Sequence, residues 1–380
     1  MYPILSMKIV ADDKIPFLKG VLEPYAEVIY LPGKSISKND LLDADALLIR
    51  TRTKCNEALL NGSSVRFIGT ATIGIDHIDA EYCRKNKITW TSAPGCNSSS
   101  VQQYIAAALL ELQKDRGFIL KGKTIGVIGV GNVGSKVAKL AFAMGMKVLL
   151  NDPPRARKEG PAGFVPIDTV LSDSDIITLH VPLNVSGQDA TYHLINDKVI
   201  SKLHKKIWLV NSSRGEVADS AALKSALQSG LISGAVIDVW ENEPDIDLEL
   251  LNEAYIATPH IAGYSTDGKA NGTAMVVNSL SRHFGISLSD WYPENLPQPE
   301  FPVLEIDCNG RNSEEILMEA VLHSYDIASD DRNLKQSPST FEKLRGDYRL
   351  RREFSAYTVK LLGGNVATRK LLKDIGFKVE

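Results

Sequence analysis

Short apolar runs rich in valine, isoleucine and leucine punctuate the chain at residues 8–11 (KIVA), 27–31 (EVIYL), 46–50 (ALLIR), 65–69 (VRFIG) and 88–91 (ITWT). Runs of this length predict strands, and the polar stretches between them carry short helical patterns. A second series of strands is expected at 124–128, 147–150, 164–166, 176–181, 206–211, 235–239 and 255–258, with helices at 135–144 and 220–229. Residues 98–117 (SSSVQQYIAAALLELQKDRG) predict a long helix that serines can cap and that Lys114 and Arg116 complement at its carboxyl end. A second long helix, 268–284, carries the chain back to the first series. Strands alternating with helices imply parallel sheets covered on both faces, hence an α/β fold of two doubly wound halves. The second half, 98–267, is inserted into the first, which is made of 1–97 and 268–290.

The stretch KTIGVIGVGNVGSKVAKLAFAMGMKVLLND, residues 123–152, reads as strand, tight turn, helix, strand. Its Gly129, Gly131 and Gly134 have G-x-G-x-x-G spacing, with Asn132 and Val133 completing the turn. Gly129 allows the turn, Gly131 lets backbone approach a pyrophosphate, and Gly134 lets helix and strand pack closely. The helix N-terminus then faces that pyrophosphate with free N–H groups. Asp152 stands where an acid takes the adenine ribose hydroxyls, which favours NAD over NADP. Arg155 and Arg157, close behind, weigh the other way. The bland alternative is that these glycines serve only a turn.

Composition narrows the class without deciding it. The chain has 380 residues, 44% hydrophobic and 23% charged, as soluble globular proteins do. Its net charge of −3 argues against a nucleic-acid binder, so a small anion would need a local cationic site. No apolar run approaches the ~20 residues that span a bilayer, so no membrane partner is expected. MYPILSMKIV meets charges too soon to be a signal peptide, and Met7 reads as the start of the folded part. Cys55, Cys83, Cys96 and Cys308 form no C-x-x-C pair and no metal-like spacing, so a reduced cytoplasmic protein without a metal is expected. From Trp291 the pattern changes. A proline-rich connector, a helix at 313–328 and the basic segment FEKLRGDYRLRREFSAY make 291–380 a smaller C-terminal α+β domain. Arg349, Arg351 and Arg352 read first as a solvated face, with an anion or partner contact as the other reading.

Three stretches just past strands of the second half carry chemistry: NSSRG with Arg214, DVWENEP with Asp238 and Glu243, and TPHIAGYS with His260. A hydride leaving C2 of a 2-hydroxy acid requires its hydroxyl to lose a proton. His260 can accept that proton near neutral pH. Glu243 can bind the other ring nitrogen and fix the tautomer. Arg214 offers a planar fork for the substrate carboxylate, and Asp238 an acceptor for the nicotinamide amide. Each has a structural alternative when taken alone: a loop end, a surface charge, a core histidine. In the first half, Arg50-Thr51-Arg52 and Thr70-Ala71-Thr72 follow strands and are candidates for substrate contact.

VGxGxxG, NSSRG, DVWENEP and TPH, in this order and spacing, resemble the D-isomer-specific 2-hydroxyacid dehydrogenases. KIVADDKIP, GTATIGIDHID, APGCN and LRGDYRLRREF extend the resemblance over nearly everything after Met7. It implies a Rossmann-like NAD-binding domain, a flavodoxin-like substrate domain and a tail that pairs two chains into a homodimer. The implied reaction is NAD-dependent oxidation of a phosphorylated 2-hydroxy acid to its 2-oxo acid. Arg214, Glu243 and His260 become the catalytic set. Asp152, Ser212, Asp238 and Gly263 match cofactor positions, His180 and Pro182 line the adenine side, and Thr51, Thr72 and Tyr264 match substrate positions. Thr51 departs from the usual serine, and Gln103 stands where an acid is usual. Arg50, Arg52 and Lys54 cluster near Thr51 as candidate phosphate ligands. The rival readings are a member acting on another 2-hydroxy acid, 3-phosphoglycerate for instance, and a non-enzymatic NADH-sensing protein.

Overall fold

The computed structural model describes residues 7–380. They fall into two units, residues up to 97 with 266–297, and 98–265 with 298–380.

In the first unit β1 (Lys8–Asp12), β2 (Glu27–Leu31), β3 (Ala46–Ile49), β4 (Phe67–Thr70) and β5 (Thr89–Thr91) form one parallel sheet in the order β2-β1-β3-β4-β5. The twofold side-chain period sends Ile9 and Ala11 to one face and Val10 to the other, and both faces are buried. The helix Thr266–Phe284 covers one face with Val276, Val277 and Leu280, which pack with Phe67 and Leu48. Each such side chain contributes about 1.5–3 kcal/mol by leaving water.

The second unit holds β6 (Thr124–Ile128), β7 (Lys147–Asn151), β8 (Ile176–Leu179), β9 (Trp208–Asn211), β10 (Gly234–Ile237) and β11 (Ile256–Ala257), parallel in the order β11-β10-β9-β8-β6-β7. The chain reverses direction across the sheet at β6, where β7 lies on one side and β8 on the other. Beyond the carboxyl ends of strands at such a reversal, open α/β sheets bind their ligands. A third parallel sheet, β12 (Val303–Asp307), β13 (Thr358–Leu362) and β14 (Lys378–Val379), belongs to the same unit. Its Ile306, Val359 and Leu361, with Leu317, Ala320 and Leu372 of the tail helices, share a core with Ile105, Leu109, Val137 and Leu140. Gln103 is part of that joint, donating to the Arg352 carbonyl (2.9 Å) and to Ser324 Oγ (3.3 Å).

Three expectations require correction. Residues 164–166 form no strand: Val165 donates to Leu150 and its carbonyl takes the Asn151 amide, but Pro166 has no N–H and begins the helix Ile167–Asp173. The helix expected at 313–328 stops at Ser324. Tyr325 turns extended, and Asp326 caps a new helix, Ile327–Gln336, by accepting from Ser329 N. Arg351 and Arg352 are not a solvated face. They are 3% and 7% exposed. The Arg351 guanidinium lies 4.4 Å from the Tyr325 ring centroid and donates to the carbonyls of Ile261 (3.1 Å) and Ala262 (2.6 Å) and to Ser100 Oγ. The four cysteines are buried and form no disulfide among the described residues. Among the described residues no helix is long and apolar enough to cross a membrane.

Candidate active site

The glycine turn follows β6 and opens the helix Asn132–Ala143. Gly129 has φ +86°, a conformation that costs other residues about 1–2 kcal/mol. A Cβ on Gly134 would collide with the Gly129 carbonyl oxygen, whereas one on Gly131 would meet nothing within 4 Å. The helix is therefore pressed onto the turn while backbone at Gly131 stays open to a ligand. Asp152, at the end of β7, accepts from Val130 N (2.8 Å) and from Arg155 N (3.0 Å), so it braces the turn and caps the next helix. Arg155 is paired with Glu159 and Arg157 with Asp189, so both cations near this acid are already engaged. Beyond β8, His180 bonds Thr178 Oγ1 through Nε2 (2.9 Å), and burial pushes its imidazole down to about 3, leaving the ring neutral. Pro182 follows on the surface and accepts from Thr191 Oγ1. Ser212, just past β9, has a buried Oγ without a hydrogen-bond partner among the described residues. An open glycine backbone, a helix N-terminus, an acid after β7 and an unpaired buried hydroxyl are a donor and acceptor set that suits a dinucleotide.

Arg214, Glu243 and His260 leave three adjacent parallel strands, β9, β10 and β11, and the loops that carry them are laced together. A Cβ on Gly215 would strike the Trp240 backbone, so the Arg214 loop lies flat against the loop leading to Glu243. The Trp240 indole donates to the Thr258 carbonyl (3.0 Å), which ties that loop to the one carrying His260. Asp238 completes the lacing. Only 1% exposed, it accepts from Thr258 Oγ1 (2.6 Å) and Ile261 N (2.7 Å) on Oδ1 and from Ala262 N (2.9 Å) on Oδ2. Burial lifts its carboxyl above the ordinary range, against the downward pull of His260 and these donors. His260 has φ +57° between these bonds, a left-handed backbone that a non-glycine residue holds only when its surroundings enforce it. Its own N–H donates to the Asp238 carbonyl (2.7 Å).

The strained backbone delivers the ring to an acid. His260 Nδ1 lies 2.8 Å from Glu243 Oε2 and 3.1 Å from Oε1, while Trp240 N donates to Oε1 (3.0 Å). Burial raises the Glu243 carboxyl, but His260, the Trp240 N–H and Arg345 outweigh it and hold it below its usual range. An ionised partner assigns the hydrogen to Nδ1 and leaves Nε2 as the acceptor. Arg214 donates through Nη1 to its neighbour's carbonyl, Ser213 O (2.8 Å). Gly263 and Tyr264 continue the His260 loop, and Tyr264 N donates to Ile261 O (2.9 Å). In the other unit, Thr51 is exposed past β3. Thr72 lies past β4 with its hydroxyl 2.7 Å from that of Thr70, which in turn meets His77 Nε2 (3.1 Å). The sequence reading gave Trp240 and Gly215 no part. Their signal lay in DVWENEP and NSSRG, where a large side chain and a residue without one share a loop cluster.

Erythronate-4-phosphate dehydrogenase of Bacteroides fragilis is 51% identical over 354 residues, covering 93% of this chain and 99% of its own. The chain belongs to the erythronate-4-phosphate dehydrogenase family. The relative of the same description from Porphyromonas gingivalis is 43% identical over 98% of this chain and 100% of its own. Residues 98–262 match the NAD-binding domain of the D-isomer specific 2-hydroxyacid dehydrogenases, so the family's cofactor domain is the unit part built on β6–β11. Residues 296–376 match a domain of unknown function, DUF3410. Among solved structures, D-lactate dehydrogenase from Aquifex aeolicus, complexed with NAD and lactic acid, is 28% identical with a TM-score of 0.62. It is covered over 100% of its length by 76% of this chain.

Proposed function

We propose that the chain oxidises 4-phospho-D-erythronate at C2 to the 2-oxo acid, a step of pyridoxal 5′-phosphate biosynthesis. The chemistry of this reading is carried by the 2.8 Å contact of His260 with Glu243 on loops beside the NAD-binding sheet, and its substrate by the 51% identity to the Bacteroides fragilis relative. His260 Nε2 takes the C2 hydroxyl proton, and Glu243 steadies the resulting imidazolium through Nδ1. The cofactor, when bound, supplies the acceptor for the C2 hydride. Gly129, Gly131, Asn132, Val133, Gly134, Asp152 and Ser212 hold its phosphate and ribose side in this reading, with His180, Pro182 and Gly263 along its length. Asp238 serves the cofactor end of the site by fixing the His260 loop. Arg214 clamps the substrate carboxylate, while Thr51, Thr72 and Tyr264 contact the substrate.

The test is NADH formation with 4-phospho-D-erythronate beside 3-phosphoglycerate and unphosphorylated erythronate. Preference for the first is expected. Equal or better turnover of 3-phosphoglycerate would reassign the substrate, and tight NADH binding without any turnover would make this a sensor. In the same assay Arg214→Ala should raise KM for the acid about 10- to 100-fold, the worth of a charge-assisted pair, and slow turnover. Unchanged kinetics would remove Arg214 from the site.

The tail pairs two chains in this reading. Exposed Phe301 precedes its edge strand β12, which opens with exposed Val303, and Leu362 at the end of the neighbouring β13 is exposed as well, apolar side chains of the kind that interfaces cover. Light scattering should give twice the 41.6 kDa of one chain, and a single-chain mass at micromolar concentration would defeat the pairing.

A further inference from the structure

Arg345, on the tail helix Phe341–Gly346, stands beside the acid–base pair. Its Nη1 is 3.9 Å from Glu243 Oε2, and its guanidinium is 5.6 Å from the Tyr264 ring centroid. The side chain is 19% exposed, and its Nε is buried without a hydrogen-bond partner among the described residues. The segment that follows is anchored to the His260 loop: Arg351 donates to the Ile261 and Ala262 carbonyls, and Ser265 Oγ donates to Glu353 (2.8 Å). At 3.9 Å the Arg345–Glu243 contact is too long for a hydrogen bond. Glu243 owes its orientation to His260 Nδ1 and Trp240 N, so what Arg345 adds is charge.

We propose that Arg345 is a positioning residue of the Glu243–His260 pair, through which the tail supplies a fixed positive charge to the reaction centre. The charge adds to the pull of His260 and the Trp240 N–H on the Glu243 carboxylate and stands against a second positive charge on the neighbouring ring, so its removal should show in the pH dependence of the reaction. The acids that face His260 are Glu243, through its 2.8 Å contact, and the buried Asp238, both after β10, and Arg345 brings the opposite charge from the tail. The low pKa of Glu243, to which Arg345 contributes, agrees with this arrangement. The proposal rests on His260 as the proton acceptor.

The experiment is the pH profile of kcat/KM for the full chain, comparing wild type, Arg345→Gln, Arg345→Lys and His260→Asn, each checked for folding by circular dichroism. Removing a cation at this range should move the acid limb of Arg345→Gln upward by about half a unit to one unit. Arg345→Lys should restore it even if its maximal rate falls. An acid limb that stays or moves downward in Arg345→Gln, or a lysine variant that shifts as far as the glutamine one, overturns the proposal, because a packing role lowers the rate without moving the limb. A His260→Asn enzyme as active as wild type removes the acid–base reading and this one together. An inactive His260→Asn beside an unshifted Arg345→Gln removes only the role of Arg345.

Discussion

Replacing His260 by alanine should lower kcat about 10²- to 10⁴-fold, the usual worth of a positioned general base, while NADH affinity stays near that of wild type. Of the cofactor contacts proposed above, the glycine turn, Asp152, Ser212, His180 and Pro182 lie outside the His260 loop, and Gly263, within it, does not use the imidazole. Backbone needs its own control, since His260 is left-handed at φ +57° and alanine takes that conformation reluctantly. Asparagine tolerates it better, so His260→Asn separates lost chemistry from a relaxed loop. If both variants lose the same factor in kcat and both keep their Tm within a few degrees, the ring itself is responsible. A loss under tenfold in either would move proton transfer elsewhere. Glu243→Gln should fall between wild type and these variants, because an amide can still accept from Nδ1 but no longer stabilises the imidazolium with a full charge.

The parallel sheets were legible because each strand is a short apolar run that the chain must bury on both faces, as Ile9, Val10 and Ala11 are. The glycine turn was legible because its demands are local: a positive φ at Gly129 and a missing side chain at Gly134 leave a mark within six residues. That the loops carrying Arg214, Glu243 and His260 leave neighbouring strands followed from topology, since residues just past three adjacent strands come to one edge. What could not be read lies in partners distant along the chain. Arg351 looked solvated because the carbonyls it binds, at Ile261 and Ala262, are 90 and 89 residues away. A charge run gives no sign of such acceptors, and burial of a guanidinium is sustainable only where they and the faces of Tyr325 and Tyr348 are supplied. Residues 164–166 looked like a strand because Phe164 and Val165 are apolar, yet Pro166 brings no N–H and opens the next helix, and the side-chain amide of Asn151 occupies the Val165 carbonyl. Asp238 was read as a cofactor contact from its position after β10. That its oxygens also hold three donors of the His260 loop depends on Thr258, Ile261 and Ala262 curling over it, and no spacing rule encodes that.

Asp238 therefore carries the second large effect. Asp238→Ala strands the N–H groups of Ile261 and Ala262 in a buried site, while the Thr258 hydroxyl keeps the Tyr104 hydroxyl as a partner (2.8 Å). At about 1–3 kcal/mol for each buried group left unsatisfied, the expected loss of stability is at least about 2 kcal/mol, read as a fall in the guanidinium midpoint at unchanged slope. Asp238→Asn is the more informative variant. Its carbonyl replaces one oxygen, while its NH₂ turns a donor toward a remaining donor, so one contact becomes repulsive and the left-handed His260 loses part of what enforces it. The expected result is a smaller stability loss than for alanine but a fall in kcat of about tenfold or more, because a ring displaced by even 1 Å loses its alignment. If Asp238 acted only on the cofactor, Asp238→Asn would raise KM for NAD and leave Tm and the kcat at saturating NAD unchanged. The two roles thus separate on whether kcat and Tm move together.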